Sequence, residues 1–353
     1  MRQEASEDHM IDLRSDTLTV PSAEMMSYAM QAEVGDAGRT NVDGRSCDPS
    51  VNRLEDLACA LTGKEAALFM PSGTLGNLTA LLTYCSPGDE VLIDHLQHSY
   101  RIEKAAYAPQ IGGLEPRFFD LTDVGIPDIH SMEKWLESGG IKLLCIENTH
   151  NGACGAFIPE SVLKIIHETA IRHGVPVHMD GARLFNASVA SGTSAKEICQ
   201  YVDSVMFCVS KGLGGPMGSL LCGDKAFIEQ ALETRKILGG NLRQVGYMAA
   251  AGEYALLHNI PNLKEDHRRA ALLLQLLQQL PEIRVPKHID SNIIIIDVSQ
   301  TGSSAEAFIK ELYKKGVWLS VSGSNVRALL YTGVSDNDVH EAARIIGDFI
   351  KYK

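Results

Sequence analysis

Short runs rich in Val, Ile and Leu recur along the chain at residues 91–93, 141–146, 175–179, 204–209 and 219–222, and stretches with helical spacing lie between them. Runs of this length with both faces apolar are strands buried on two sides, and such strands form sheets that carry helices on both faces. Glu160–His173 and residues 225–238 have the amphipathic pattern that those helices need. The expected fold class is therefore α/β, with a mostly parallel central sheet in a large domain.

A chain of 353 residues exceeds what one core usually holds. A helical pattern over residues 262–280 stops at Pro281, and beyond it the strand patterns shorten, at 292–297, 317–321 and 327–330. The expected organisation is an N-terminal segment (1–20), a large domain (21–255) and a small α+β domain (256–353). The last helix should open at Ser335, with Asp338 in the reciprocal capping position. Residues 34–49 are rich in Gly and Asp, lack periodicity and read as a loop long enough to suspect function.

Charge and composition narrow the partners. A net charge of −12 without a cluster of Lys and Arg argues against nucleic acid or an anionic membrane surface. The longest apolar stretches, such as residues 293–296, are far shorter than a membrane span. The first ten residues have three acidic side chains and no apolar segment, so they do not read as a secretory signal, and a cytoplasmic address is expected. The eight cysteines form no CxxC pair and mostly sit in apolar runs, as reduced core thiols do.

Three segments can carry chemistry. Ser210-Lys211-Gly212-Leu213-Gly214-Gly215 follows the run 204–209. An amine at the end of a buried strand loses hydration, which favours the free base that attacks a carbonyl, and the glycines leave room for a cofactor beside the backbone. Pro71-Ser72-Gly73-Thr74 follows another apolar run and opens a helix, where free N–H groups, the helix dipole and two hydroxyls can hold a phosphate. Asp180-Gly181-Ala182-Arg183 puts a carboxylate at the carboxyl end of a strand, where α/β proteins bind ligands. Each segment alone also fits a plainer role: a surface lysine beside a turn, an ordinary helix cap, a surface ion pair. Together, in this order, they match what pyridoxal 5'-phosphate requires. No GxGxxG or GxxxxGK[ST] occurs where a strand meets a helix, so a nicotinamide or P-loop site is not expected.

From Ile11 onward the chain resembles the threonine aldolases, fold-type I pyridoxal-phosphate enzymes. The resemblance is carried by Ile11-Asp12-Leu13-Arg14-Ser15-Asp16-Thr17, Asp48-Pro49-Ser50-Val51-Asn52-Arg53-Leu54-Glu55, Glu147-Asn148-Thr149-His150-Asn151, Asp180-Gly181-Ala182-Arg183, the lysine segment, and Gly239-Gly240-Asn241-Leu242-Arg243-Gln244. It implies that Lys211 is the Schiff-base lysine, that Asp180 meets the ring nitrogen and that His98 stacks on the ring. It implies a phosphate held by Ser72, Gly73, Thr74 and Ser210, joined by Lys236 and Arg243 of a neighbouring subunit. Arg183, beside the cofactor, would hold the substrate carboxylate with Ser15 and Arg327. A homodimer would then be the smallest active unit, and a homotetramer is common in the family.

The pattern also departs from the family. Residues 38–47 replace a short loop with an active-site tyrosine, placing Arg45 near the tyrosine's position. A second family histidine, associated with the substrate hydroxyl, aligns near Glu137, and Tyr331 stands where a histidine follows the last arginine. These changes imply an altered side-chain pocket with threonine as a poor or secondary substrate. The expected reaction is retro-aldol cleavage of a β-hydroxy-α-amino acid to glycine and an aldehyde. The rivals are an amino-acid racemase on the same scaffold and a degenerate binding protein.

Overall fold

The computed structural model describes residues 10–352. They divide into two compact units, one spanning Val20–Pro261 and one combining residues 10–19 with the chain from Asn262 onward. The boundary lies later than residue 255 because a helix continues to His258 within the larger unit. Residues 1–9 of the expected N-terminal segment lie outside the described residues.

The larger unit is built on seven strands: β1 (Ala66–Met70), β2 (Glu90–Ile93), β3 (Glu115–Phe118), β4 (Ile141–Glu147), β5 (Val177–Asp180), β6 (Ser204–Cys208) and β7 (Ser219–Gly223). Their order across the sheet is β1-β7-β6-β5-β4-β2-β3. All neighbours are parallel except β7, which runs antiparallel to both β1 and β6. Every residue of β5, β6 and β7 is buried, which explains why these strands appear in the sequence as unbroken apolar runs rather than alternating ones.

Helices α1 (Pro49–Thr62), α2 (Gly73–Tyr84), α3 (Ile129–Ser138), α4 (Glu160–His173), α5 (Leu184–Ser191), α6 (Lys225–Ile237) and α7 (Gly246–His258) belong to this unit. Asp48 caps α1, accepting from the N–H groups of Ser50 and Val51. Its other carboxylate oxygen accepts from the N–H groups of Gly35 (3.0 Å) and Gly246 (2.9 Å). One fully buried carboxylate thus ties the start of α1 to the start of α7 and to the chain before it. Residues 34–49, read as a loop, contain a small antiparallel hairpin, Asp36–Thr40 with Ser46–Cys47.

In the smaller unit, β8 (Ile293–Ile296), β9 (Ser320–Ser322) and β10 (Asn325–Leu329) form an antiparallel sheet in the order β8-β10-β9. The helices are α8 (Leu263–Leu277), α9 (Ala305–Tyr313) and α10 (Asp336–Lys351). Ile11–Asp12 pairs in parallel with Val317–Trp318, and Leu13 is wholly buried in this unit's core, so residues 11–13 belong to this unit. Ser335 and Asp338 make the reciprocal capping box that the sequence anticipates. Among the described residues all eight cysteines are free thiols, and no helix is long and apolar enough to cross a membrane.

Candidate active site

The carboxyl ends of β4, β5 and β6 and the amino end of α2 meet in the larger unit. Ser72 caps α2, its Oγ accepting from the Leu75 N–H at 3.2 Å, while Ser72 and Thr74 remain exposed. Residues 73 and 76 must be glycine for this helix to sit so close to β6. A Cβ at Gly73 would lie 2.8 Å from Cys208 Sγ, and one at Gly76 would lie 2.7 Å from Met206 Cγ. The free N–H groups of the first turn are thereby held beside the end of the strand that leads into Ser210 and Lys211. Lys211 is half-buried, and among the described residues its side chain has no hydrogen-bond or ion-pair partner.

Asp180 ends β5, 3% exposed. Its Oδ1 accepts from the Ala182 N–H (3.0 Å) and its Oδ2 from Asn77 Nδ2 (2.8 Å). Asn77 lies on α2, and its amide also approaches Glu103, at 3.2 Å and 3.4 Å from the two carboxylate oxygens. Because Nδ2 donates to carboxylates, Oδ1 must accept, and His178 Nε2 donates to it at 3.3 Å. His178 Nδ1 faces Ser204 Oγ at 2.9 Å. Burial lowers the His178 pKa to about 4 against a smaller opposing pull from Asp180, so the ring is neutral and can serve both neighbours.

His98 is fixed at its backbone by Glu147, which ends β4 and accepts the His98 N–H at 2.8 Å. The next five residues, Ser99–Glu103, form one turn of π-helix. That wide turn returns Glu103 to the ring, where its Oε1 lies 2.9 Å from His98 Nδ1. Side-chain atoms of His98, Glu103 and Asp180 all lie within 4.8 Å of one another. The hydrogen bond that His98 donates to Glu103 raises the His98 pKa, burial opposes it, and the charges of Asp180, Glu103 and Glu147 add to the rise.

The sequence singled out Asp180, His98, Lys211, Ser210 and the Ser72-Gly73-Thr74 turn, and the structure sets these at neighbouring strand and helix ends. Asn77, Glu103, Glu147 and His178 were missed as participants. Arg183 follows Asp180, is buried and donates to Asn151 Oδ1 at 3.4 Å. Lys236 is paired with Glu233 at 2.6 Å within α6, and Arg243 is exposed, 4.0 Å from Asp36. In the smaller unit, Arg327 donates to Ser320 Oγ (3.3 Å) and to the Arg14 carbonyl (3.4 Å), next to Ser15, whose Oγ accepts from the Thr17 N–H.

Two expectations about the side-chain pocket change. Arg45 is held by Asp56 at 2.8 Å and 3.2 Å and by the Asn52 carbonyl at 3.0 Å, so its guanidinium is already engaged by α1. Glu137 lies in the last turn of α3, just before β4 begins, and therefore at the amino edge of the sheet. The opposite end of α3 carries an exposed histidine, His130. The loop before that end packs on Asn151–Ala153, since a Cβ at Gly125 would meet Ala153 Cβ at 2.6 Å.

The profile of the beta-eliminating lyase family matches residues 12–301, and the chain belongs to that family. Among its relatives are the low-specificity L-threonine aldolase of Escherichia coli K12, 39% identical over 339 residues (95% of this chain, 97% of the relative), and low-specificity L-threonine aldolase 1 of Arabidopsis thaliana, 38% identical over 342 residues (94% and 93%). Solved structures share the fold. A putative L-allo-threonine aldolase from Listeria monocytogenes has a TM-score of 0.78 at 20% identity, covering 96% of both chains. A threonine aldolase from Leishmania major has 0.79 at 18% identity, covering 96% of this chain and 99% of that one. The architecture is that of fold-type I.

Proposed function

We propose that this chain is a pyridoxal 5'-phosphate-dependent aldolase that cleaves a threonine-like β-hydroxy-α-amino acid to glycine and an aldehyde. The observation that carries the reading is its 38–39% identity, over more than nine-tenths of the chain, to low-specificity L-threonine aldolases. The donor set fits the cofactor. Ser72, Thr74 and the N–H groups of α2 suit a phosphate, Asp180 presents a carboxylate fixed on two sides, and Lys211 offers an unengaged amine. When bound, the cofactor supplies a sink for the electron pair released at Cα.

The protein's own groups do the rest. Arg183 binds the substrate carboxylate and orients the Cα–Cβ bond. His98 is the base for the β-hydroxyl proton. Lys236 and Arg243 would complete a phosphate site across a homodimer or homotetramer, and a cytoplasmic location suits this amino-acid chemistry.

Borohydride treatment of the purified protein with its cofactor should fix the label on Lys211, and Lys211→Ala should lose the visible absorption band. Incubation with threonine or allo-threonine should release acetaldehyde and glycine. Racemisation of alanine without aldehyde release would overturn the aldolase reading in favour of the racemase. Mixing Lys211→Ala chains with Arg243→Ala chains should restore some activity if the phosphate site is shared between subunits.

A further inference from the structure

We propose that Glu103 is a positioning residue for His98, forming with it a carboxylate–imidazole dyad whose spacing from Asp180 is set by Asn77. The proposal rests on the aldolase reading for its chemical purpose, and on geometry for its parts.

His98 and Glu103 are five residues apart, a separation that does not share a face on an α-helix but does on the π-turn Ser99–Glu103. The Glu103 side chain is only 7% exposed, whereas that of His98 is 34% exposed. Nδ1 is taken by Glu103, and among the described residues Nε2 has no partner. The carboxylate thus selects the tautomer with the proton on Nδ1 and leaves Nε2 as the basic nitrogen. This is the arrangement in which a base is oriented by a third group.

When the β-hydroxyl gives up its proton to Nε2, the O–H electron pair becomes the second bond of the product carbonyl as Cα–Cβ breaks. The imidazolium that forms is stabilised by Glu103 across the Nδ1–H bond, without any proton reaching the carboxylate. The Glu103 and Asp180 carboxylates lie within 4.8 Å of each other, close enough to repel unless a donor stands between them. The Asn77 amide donates towards both, and His178 fixes which way that amide points. Asp180 is thereby kept for its own partner, and Glu103 for His98. The charged groups facing His98 are Glu103 on its own turn, Asp180 at the end of β5 and Glu147 at the end of β4.

The test is Glu103→Gln, which keeps the shape and removes the charge. With histidines selectively isotope-labelled in the full-length protein and the His98 resonance assigned by its loss in His98→Asn, the titration midpoint of His98 should fall by at least about 0.5 pH in the variant. The acid limb of kcat/KM should move to lower pH with it, and the plateau should drop by at least about 10-fold. Glu103→Asp, which shortens the reach and retains the charge, should give an intermediate midpoint and guards against loss of fold in the first variant. An unchanged midpoint in both variants, with or without loss of rate, would overturn the dyad. If the wild-type protein cleaves none of threonine, allo-threonine, phenylserine and 3-hydroxyaspartate, the aldolase reading falls, while the midpoint still decides whether Glu103 governs His98.

Discussion

Arg45 illustrates how a side chain is recruited by whatever lies nearest. The sequence places it in an irregular loop where a cation could reach a substrate, but the hairpin there directs it onto Asp56 and the Asn52 carbonyl. Arg45→Ala should therefore change kcat/KM for threonine, phenylserine and 3-hydroxyaspartate by the same small factor. A partly exposed pair of this kind contributes less than about 1 kcal/mol, so denaturant melts should move little. A selective loss on 3-hydroxyaspartate would restore the substrate contact. Other residues were easier to locate. Asp180 ends a buried strand and Lys211 follows one, and a polar group at such a place stands out against an apolar run. Glu103 did not stand out, because its neighbourhood depends on one π-turn that leaves no periodic signature. Asn77 and His178 sit inside apolar segments and pass for satisfied core residues until their partners on other elements are known.

Among the elements, legibility followed burial. Strands covered on both faces were visible as apolar runs, whereas β3, an edge strand reading Glu-Pro-Arg-Phe, carries too much charge to be picked out. The hairpin at Asp36–Cys47 escaped because its pairing is irregular and its side chains do not alternate. The helix starts were better marked, and Asp48 ahead of Pro49 is the strongest of them. Its carboxylate serves four N–H groups on three segments, so Asp48→Ala would leave several buried donors unsatisfied. The loss should be about 2–4 kcal/mol in unfolding free energy, measured by urea titration. Asp48→Asn, which keeps an acceptor but no charge, should lose less. Equal stability in all three proteins would show that α1 is held by its apolar face alone.

For the molecule as a whole, the smaller unit carries a pH-dependent weakness. Asp266 on α8 is completely buried, and among the described residues neither carboxylate oxygen has a hydrogen-bond partner. Burial raises its pKa to about 8, with Arg269 opposing and Asp16 and Glu265 assisting the rise. A carboxyl whose folded pKa lies above its unfolded value binds its proton more tightly when folded, so its contribution is most favourable below pH 4. That contribution falls as the pH rises towards 8. Asp266→Asn, which cannot ionise, should therefore gain on wild type as the pH rises from 4 to 8, by at least about 1 kcal/mol over that range. Melts that track each other across this range would mean that Asp266 finds a partner in solution. The larger unit poses a different problem, one of timing. Strand β1 has a single neighbour in the sheet, β7, and Ala66 pairs with Gly223. Everything from β2 to β6 is synthesised before that neighbour exists. On the ribosome the growing chain must therefore carry an unpaired apolar strand until residue 223 has emerged, the stage at which such chains aggregate or engage chaperones.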